Sequence, residues 1–268
     1  MILVFDLGGT NTRLAVSRDG ETLEKPFIVP TPSDFDALVR VFADGSKALL
    51  GNEKPDRVVG GVAGTLNREK NALVNPLKFG GPGHPLKNAL ESTLGVSVAL
   101  ENDAALAGLA EATRGAGRGH PIVAYLTVGT GVGGARVVNG KIDANVWGFE
   151  PGFHFMDAAN RLTFEDAVSG RAIERRFHRK PETISDPALW EELAEKLAVG
   201  IHNASVFWSP DIVVLGGSMI LGDPAISLER VREQLRTMPD IFEDFPMIEK
   251  AALGDLSGLY GALELARR

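Results

Sequence analysis

The feature that most constrains this fold is a pattern that occurs twice, in which an apolar strand runs into a glycine-rich turn and a second strand leaves it. The two copies read FDLGGTNTRLAV at residues 5–16 and LTVGTGVGGARV at residues 126–137. Apolar runs on both sides of clustered glycines are typical of a hairpin with a tight turn. In a chain of 268 residues, which is long enough for two modest domains, the repeat predicts two similar halves.

The order of the other predicted elements supports this duplication. In the first half we expect strands at residues 2–7, 13–17 and 22–30, a helix from Phe35, a buried strand at 57–62, a polar loop at 64–84, a helix at 85–94, a strand at 96–100 and a helix at 104–112. In the second half we expect a hairpin after Pro121, helices around 164–177 and at 187–208, a strand at 211–215, a helix at 224–238, a strand near 248–253 and a helix at 257–266. Each half then reads β-β-β-α-β-α-β-α, which predicts an α/β protein of two lobes with a cleft between them. We place the lobes at residues 1–115 plus 254–268 and at 116–253.

Charge and cysteine content exclude several classes of function. The chain carries 28 Lys and Arg against 35 Asp and Glu, a net charge of −7, so it lacks a broad basic surface for a nucleic acid or an anionic membrane. A nucleotide must therefore be held locally, by backbone amides, a helix N-terminus or a divalent cation. The absence of cysteine excludes disulfides and thiolate chemistry. The sequence also shows no long apolar segment and no leader-like N-terminus. Together with the absence of cysteine, these features predict a cytoplasmic protein.

Three glycine turns at the ends of predicted strands are candidates for phosphate and nucleotide binding, because glycine lets the backbone approach a phosphate and turn its N–H groups toward it. Each turn alone is most often an ordinary tight turn, but the three together, in this order, favour a nucleotide site. Neither a Walker A motif nor G-x-G-x-x-G is present as a strand–turn–helix unit. The candidate nucleotide ligands are Asp6, Gly8, Gly9, Thr10, Asn11 and Arg13 in the first turn, Thr127, Gly129, Thr130, Gly131 and Gly133 in the second, and Gly216, Gly217 and Ser218 in the third. Asp6 can also hold Mg²⁺, directly or through water, whereas Arg13 can reach the γ-phosphate or form a salt bridge at the strand edge.

These motifs together resemble the signature blocks of the ROK sugar kinases, within the actin/hexokinase/Hsp70 superfamily. The blocks are Asp6-Leu7-Gly8-Gly9-Thr10, Glu101-Asn102-Asp103, Gly129-Thr130-Gly131-Val132-Gly133-Gly134 and Leu215-Gly216-Gly217-Ser218, and they span nearly the whole chain. The resemblance implies two RNase H-like lobes, ATP with Mg²⁺ in the cleft, a hexose in front of it and a homodimer.

Asp103 is the candidate catalytic base. Alone, an Asp before an alanine-rich helix is an ordinary N-cap. Within this set of motifs it matches the position at which a carboxylate orients a sugar hydroxyl and accepts its proton during phosphoryl transfer.

The candidate sugar ligands are polar residues that follow the motifs or lie in the 64–84 loop. The resemblance assigns sugar contacts to Asn102, Glu150, His154 and Glu165, and less directly to Asn67 and Asn75. Each has a simpler interpretation: Asn102 as a turn residue, His154 as a structural histidine, Glu165 as an acid favoured in a first helical turn, and the loop asparagines as solvated side chains. Phe153 is an extra residue between Gly152 and His154 relative to the family's Glu-x-Gly-His segment.

Two departures from the family pattern are visible. ROK kinases carry a cysteine-rich zinc site after the His segment; this chain has no cysteine, and we predict no structural zinc. Ala135 replaces a glycine that often ends the second phosphate motif, which adds one methyl group to that turn.

The sequence therefore predicts an ATP- and Mg²⁺-dependent kinase of a hexose, with glucose or a close aldohexose as the first expectation and fructose, mannose or an N-acetylhexosamine as alternatives. A sensor that binds sugar and nucleotide without turnover is the main alternative from another class. An ATPase or chaperone-like member of the superfamily is a third.

Overall fold

The structure, a computed structural model, describes residues 1–75, 83–239 and 242–268. The chain divides into two compact units. The first contains Met1–Ala110, Ala144–Gly148 and Asp255–Arg268, and the second contains Glu111–Asp143 and Phe149–Gly254.

The predicted strands and helices occur in the predicted order, and the structure adds short strands, two of them within the stretch predicted as a loop at 64–84. The elements up to the middle of the chain are β1 (Ile2–Leu7), β2 (Asn11–Ser17), β3 (Phe27–Pro30), α1 (Phe35–Leu50), β4 (Arg57–Val62), β5 (Thr65–Leu66), β6 (Leu73–Asn75), α2 (Leu86–Leu94), β7 (Val98–Asn102) and α3 (Asp103–Thr113). The remaining elements are β8 (Ile122–Val128), β9 (Val132–Val138), β10 (Lys141–Ile142), β11 (Phe155–Asp157), β12 (Leu162–Thr163), α4 (Phe164–Val168), α5 (Gly170–Phe177), α6 (Pro187–Trp208), β13 (Ile212–Gly216), α7 (Ser218–Leu221), α8 (Leu228–Leu235), β14 (Met247–Lys250) and α9 (Ser257–Ala266).

Each unit is built on a mixed sheet of five strands, and the two sheets have the same topology. The first sheet has the order β3-β2-β1-β4-β7 and the second the order β10-β9-β8-β13-β14. In both sheets the first three strands along the chain pair antiparallel, and the later two add in parallel. This shared topology confirms the predicted duplication and the two-lobed α/β class.

The core of the first unit depends on an aromatic pair that a glycine admits. The rings of Phe5 and Phe42 meet edge to face at 4.8 Å, and both side chains are fully buried. A Cβ atom at Gly60 would lie 2.3 Å from the Phe5 ring, so β4 passes under this ring only because it lacks a side chain there. Helix α1, which carries Phe42, begins at the N-cap Asp34, whose carboxylate accepts from the Ala37 amide at 2.7 Å.

The core of the second unit is organised by the long helix α6. Leu193, Leu197 and Ile201 form an apolar stripe along this helix and are fully buried, so the stripe belongs to the core. Phe164 of α4 packs on the same helix, where a Cβ atom at Gly200 would lie 2.1 Å from its ring. The first turn of α4 is thereby held firmly against α6.

Two predicted elements are shorter than the sequence indicated. The strand expected from residue 22 begins at Phe27, because the Asp19 carboxylate binds the amides of Glu21 and Thr22 at 2.8 Å and makes a turn of that stretch. The helix expected at 224–238 covers only Leu228–Leu235, since the Ile226 amide bonds to Met219 O at 2.8 Å and keeps the preceding segment non-helical. Across the described residues no helix is both long and apolar enough to cross a membrane.

Candidate functional site

The first glycine turn, residues 8–11, joins β1 to β2 and presents unused backbone donors. The Gly8 amide closes the turn by donating to Asn11 O at 3.0 Å. The next two amides, of Gly9 and Thr10, donate to no protein acceptor among the residues that the structure describes, and Thr10 is exposed. Two adjacent unused amides in a tight turn form a small anion-binding concavity.

Thr31, directly after β3, holds this turn in place through two hydrogen bonds, and sequence reasoning missed it. Its hydroxyl donates to Gly8 O at 2.7 Å, and its amide donates to Thr10 O at 2.8 Å. Because 23 residues separate Thr31 from Gly8 in the chain, no local pattern marks it. The two hydrogen bonds fix the carbonyls of the turn and so the direction of its amides.

Asp6 lies on β1 just before the turn. Its carboxylate accepts from Arg13 Nη1 at 3.2 Å, and its side chain is only 13% exposed. Burial raises the pKa of Asp6 above its usual value, the nearby Arg13 lowers it in part, and the Asp255 carboxylate adds to the rise. Arg13 thus forms the salt bridge that was one of its two predicted roles.

Asn102 and Asp103 divide two tasks at the point where β7 becomes α3. Asn102 Oδ1 accepts from the Ala105 amide at 3.0 Å, so Asn102 is the N-cap of the helix, a role that the sequence alone offered to Asp103. Asp103 is the first helical residue, half-buried, and its Oδ1 accepts from the Ala104 amide at 2.8 Å. A Cβ atom at Gly61 would lie 3.2 Å from Asp103 Cα, which shows how closely β4 passes beneath it.

An ion pair that sequence reasoning missed supports the end of β7. The buried Glu101 pairs through Oε2 with Lys70 Nζ, while its Oε1 accepts from the Asn102 amide at 3.0 Å. Lys70 lies in the predicted 64–84 loop, so the pair ties this loop to Glu101, two residues before the candidate base Asp103. Glu101 could have been suspected from the charged run that ends an apolar strand, but Lys70, 31 residues away, has no local signal.

The structure describes the side-chain contacts of one of the two predicted loop asparagines, Asn67. Asn67 Oδ1 accepts from the amides of Asn71 and Ala72 at 2.8 and 3.1 Å, and its Nδ2 donates to Asn71 Oδ1 at 2.7 Å. The Asn67 side chain therefore serves its own turn. Asn75 ends β6, but its side chain lies outside the described part of the structure, as do residues 76–82 of the predicted loop.

The second glycine turn, residues 129–131, joins β8 to β9 and resembles the first. The Gly129 amide closes it by donating to Gly131 O at 2.9 Å. Considering only described residues, the amides of Thr130 and Gly131 have no protein acceptor, and Thr130 is exposed. The flanking Thr127 and Gly133 face each other in the β8–β9 ladder.

The third turn, at residues 216–218, packs directly on β8 and the second glycine turn. A Cβ atom would lie 2.5 Å from Tyr125 Oη at Gly216 and 2.4 Å from Val128 O at Gly217, whose φ is +86°. At Gly129 a Cβ atom would lie 3.6 Å from Ser218 Oγ. Only glycine allows this close approach, so the two turns form one backbone surface in the second unit.

Glu150 is positioned by a short 3₁₀ helix, Pro151–Phe153, that packs on β9. A Cβ atom would lie 2.8 Å from Pro151 Cγ at Gly134 and 2.4 Å from Val132 O at Gly152. Glu150 itself is exposed, yet its pKa is raised, because neighbouring protein partly displaces water from the carboxyl group and because the Glu165 carboxylate is near. The structure thus brings these two predicted sugar ligands together.

His154 is held inside the protein through both ring nitrogens. Nδ1 lies 2.6 Å from Pro151 O and Nε2 lies 3.2 Å from Asn203 Nδ2 of α6, which fits a ring that donates through Nδ1 and accepts at Nε2. The ring also lies 5.1 Å from that of Phe164, and the extra residue Phe153 is exposed. These contacts support the structural interpretation of His154, and its contact with a sugar stays a prediction.

Glu165 contacts the second glycine turn. Its Oε2 accepts from the Val132 amide at 2.9 Å, and its Oε1 lies 3.7 Å from Arg171 Nη1. Gly170 and Arg171, at the start of α5, also donate their amides to Gly129 O and Thr130 O at 2.8 and 3.2 Å. Sequence reasoning identified Glu165 but neither its bond to the turn nor Arg171.

The predicted site residues therefore fall into two sets. The first unit holds Asp6, Gly8, Gly9, Thr10, Asn11, Arg13, Asn67, Asn75, Asn102 and Asp103, and the second holds Thr127, Gly129, Thr130, Gly131, Gly133, Glu150, His154, Glu165, Gly216, Gly217 and Ser218. Over the described residues, no cluster of three or more His, Asp or Glu side chains is arranged to hold a metal ion.

Comparison with known proteins places the chain in a family. The model of the ROK family matches residues 2–268. A glucokinase of Streptomyces coelicolor is 25% identical, over 98% of this chain and 96% of its own, and an N-acetyl-D-glucosamine kinase of Escherichia fergusonii is 28% identical, over 96% of each. The crystal structure of a ROK hexokinase from Thermus thermophilus superposes with a TM-score of 0.82 at 27% identity, over 98% of this chain and 97% of that one. The glycine turns, the Asn102-Asp103 helix start and the shared sheet topology thus belong to a member of the ROK family.

Proposed function

We propose that this ROK-family chain transfers the γ-phosphoryl group of ATP to a hydroxyl group of a hexose, with Asp103 as the general base. The observation that carries this assignment is that Asn102, not Asp103, caps α3. Asp103 follows the cap as the first helical residue, and its Oδ1 accepts from the Ala104 amide at 2.8 Å, so the carboxylate is held at the start of the helix. A carboxylate at this position can orient a sugar hydroxyl and accept its proton, while alignment and charge neutralisation supply most of the acceleration.

The nucleotide is held mainly by backbone donors of the two glycine turns. Each turn offers two adjacent amides, those of Gly9 and Thr10 in the first and of Thr130 and Gly131 in the second. Such donors suit a protein of net charge −7, because they bind phosphate without a basic surface. Gly216, Gly217 and Ser218, packed beside the second turn, are proposed to contact the adenosine.

Mg²⁺ fits the first turn through Asp6. A carboxylate oxygen is the ligand that Mg²⁺ prefers, and Asp6 lies two residues before Gly8, where the turn begins. When bound, the ion would neutralise charge on the phosphates. Arg13, which bonds Asp6 at 3.2 Å, holds the carboxylate in place.

The sugar is held by Asn102, Glu150 and Glu165, while His154 and Asn67 serve as braces. The amide Nδ2 of Asn102 is a donor even though Oδ1 caps the helix. Partial burial raises the pKa of Glu150 and the nearby Glu165 carboxylate adds to the rise, and neighbouring acceptors of this kind suit adjacent sugar hydroxyls. His154 and Asn67 spend their polar atoms on the protein.

Glucose is the first candidate substrate, and an N-acetylhexosamine is the second. The relatives are named as kinases of these two sugar types, at 25% and 28% identity. Fructose and mannose follow. The test is ADP production across a panel of hexoses and amino sugars, with product NMR to locate the phosphate.

The panel also distinguishes the alternatives. Sugar-dependent ADP release that disappears in Asp103→Asn supports the kinase. Sugar binding without ADP release would instead support a sensor, and ADP release without any sugar would support an ATPase.

A homodimer in the cytoplasm completes the proposal. Val199, Val206 and Phe207 lie on one face of α6 and are 37, 41 and 76% exposed, which is unusual for apolar residues on a helix of this length. Sedimentation at several protein concentrations tests the dimer, and Phe207→Ser is expected to weaken it.

A further inference from the structure

Glu165 stands in two roles that are usually separate, because its carboxylate lies both among the proposed sugar ligands and on the second glycine turn. Oε2 accepts from the Val132 amide at 2.9 Å, and a Cβ atom at Gly131 would lie only 2.5 Å from this oxygen. The carboxylate therefore rests directly on the backbone of the turn. Its other carboxylate oxygen, Oε1, lies 3.7 Å from Arg171 Nη1.

The carbonyl oxygens of the turn are bound by residues that follow Glu165. The amides of Gly170 and Arg171 donate to Gly129 O and Thr130 O, and the Ser169 amide donates to Glu165 O at 3.0 Å. Ser169 also caps α5 by accepting from the Ala172 amide at 3.1 Å. One short stretch, residues 165–171, therefore bonds both the carbonyl oxygens of the turn and the amide that follows it.

The four backbone amides of residues 129–132 fall into two pairs, one bonded within the protein and one offered to a phosphate. The Gly129 amide closes the turn and the Val132 amide binds Glu165, so the amides of Thr130 and Gly131 are those offered to a phosphate. The direction of these two amides depends on where Val132 and the two carbonyls are held. A shift of the Glu165 carboxylate would turn both donors.

We propose that Glu165 is a positioning residue of the second glycine turn and that it couples hexose binding to nucleotide binding. The inference rests on the proposed kinase function. A sugar hydroxyl that donates to Oε1 fixes the rotamer of Glu165, which fixes the Val132 amide and the adjacent donors before the nucleotide arrives. The nucleotide then binds with a smaller ordering cost, and by linkage it strengthens hexose binding by the same factor.

The experiment is calorimetric titration of the full-length protein with a non-hydrolysable ATP analogue and Mg²⁺, without and with saturating glucose or the best hexose of the panel. In the unaltered protein the hexose is expected to lower the analogue's Kd by about fivefold or more. In Glu165→Ala the hexose-free Kd for the analogue rises, and the factor falls to about one. Glu165→Gln keeps an oxygen that accepts from the Val132 amide, so it retains the hexose-free Kd.

Glu150→Gln is the matched control. Glu150 is a proposed sugar ligand near Glu165 but makes no hydrogen bond to the turn in the described structure, so this variant weakens hexose binding and keeps the coupling factor. A coupling factor unchanged in Glu165→Ala, or abolished equally by Glu150→Gln, overturns the proposal. So does a factor of one in the unaltered protein. If the unaltered protein binds neither hexose nor analogue, the proposed function itself fails, which is a different result.

Discussion

The two glycine turns present the same donors but are supported in different ways. Each joins the first two strands of a five-stranded sheet and offers two adjacent amides. Each also has a carboxylate paired with an arginine, Asp6 with Arg13 at 3.2 Å and Glu165 with Arg171 at 3.7 Å. In the first turn the pair lies on the hairpin itself, whereas in the second it comes from α4 and α5.

The ladder register explains this difference. Asp6 and Arg13 are partners across β1 and β2, so the hairpin brings the charges together without help. The corresponding partners across β8 and β9 are Thr127 and Gly133, which are uncharged. The charged residues beside the second turn therefore come from α4 and α5. We expect the second turn, unlike the first, to respond to binding at the proposed sugar site.

The largest expected effect is on kcat, and it distinguishes the catalytic step from nucleotide binding by the two turns. Asp103→Asn is expected to lower kcat by about 10²–10⁴-fold, because the general base is lost, while the KM values for ATP and hexose stay within a few-fold. Steady-state kinetics measures this. A large rise in the ATP KM would instead tie Asp103 to nucleotide binding and contradict the assignment.

Adding one methyl group to each turn breaks the comparison most directly. At Gly131 a Cβ atom would lie 2.5 Å from Glu165 Oε2, and at Gly8 it would lie 3.0 Å from Asn11 O within the same turn. We expect Gly8→Ala to raise the ATP KM by about tenfold with the hexose KM unchanged, on the scale of one hydrogen bond to a charged group. Gly131→Ala is expected to raise both. Equal effects on the hexose KM would remove the distinction between the turns.

A third comparison concerns the strands that lead into helices. Strand β7 leads into α3 through the side-chain cap of Asn102, whereas β13 leads into α7 with no side-chain cap. Asn102→Ala is expected to lower Tm by about 2–4 °C, since a lost cap costs about 1 kcal/mol, and to raise the hexose KM. Asn102→Ser keeps a capping oxygen, so its Tm recovers while the hexose KM stays high. A hexose KM that recovers with Tm would leave Asn102 only its structural role.

The smallest expected effect is a change in Tm at Asp6, beside the first turn. Burial raises the pKa of Asp6, so ionising this carboxyl costs more in the folded protein than in the unfolded chain, and stability is lost as pH rises through the raised pKa. Asp6→Asn mimics the neutral form and is expected to raise Tm by about 1–3 °C at pH 7, with the gain vanishing below the usual Asp pKa of 3.8, where the Asp6 carboxyl of the unaltered protein is also neutral. Activity with Mg²⁺ and ATP is expected to fall. Thermal melts across pH test this, and a lower Tm at pH 7 would show that the bond to Arg13 outweighs burial.

Local signals in the sequence predicted much of the fold. The bounds of β1, β4, α6 and α9 match the predicted 2–7, 57–62, 187–208 and 257–266. β1 ends at a glycine turn and α6 begins at the polar cap Asp186, and the conformational preferences of such residues act within a few positions. The duplicated hairpin likewise predicted two equivalent sheets.

The site was predicted less completely, because its contacts join distant residues. The sequence alone determined which residue types lie at the strand ends, including the glycines, Asn102, Asp103 and Glu165. Only the tertiary structure decided that Asn102 takes the cap, that Asn203 holds His154 from 49 residues away and that Glu165 bonds the Val132 amide across 33 residues. Such bonds depend on how helices and sheets pack, and packing depends on the whole apolar core, which no local pattern encodes.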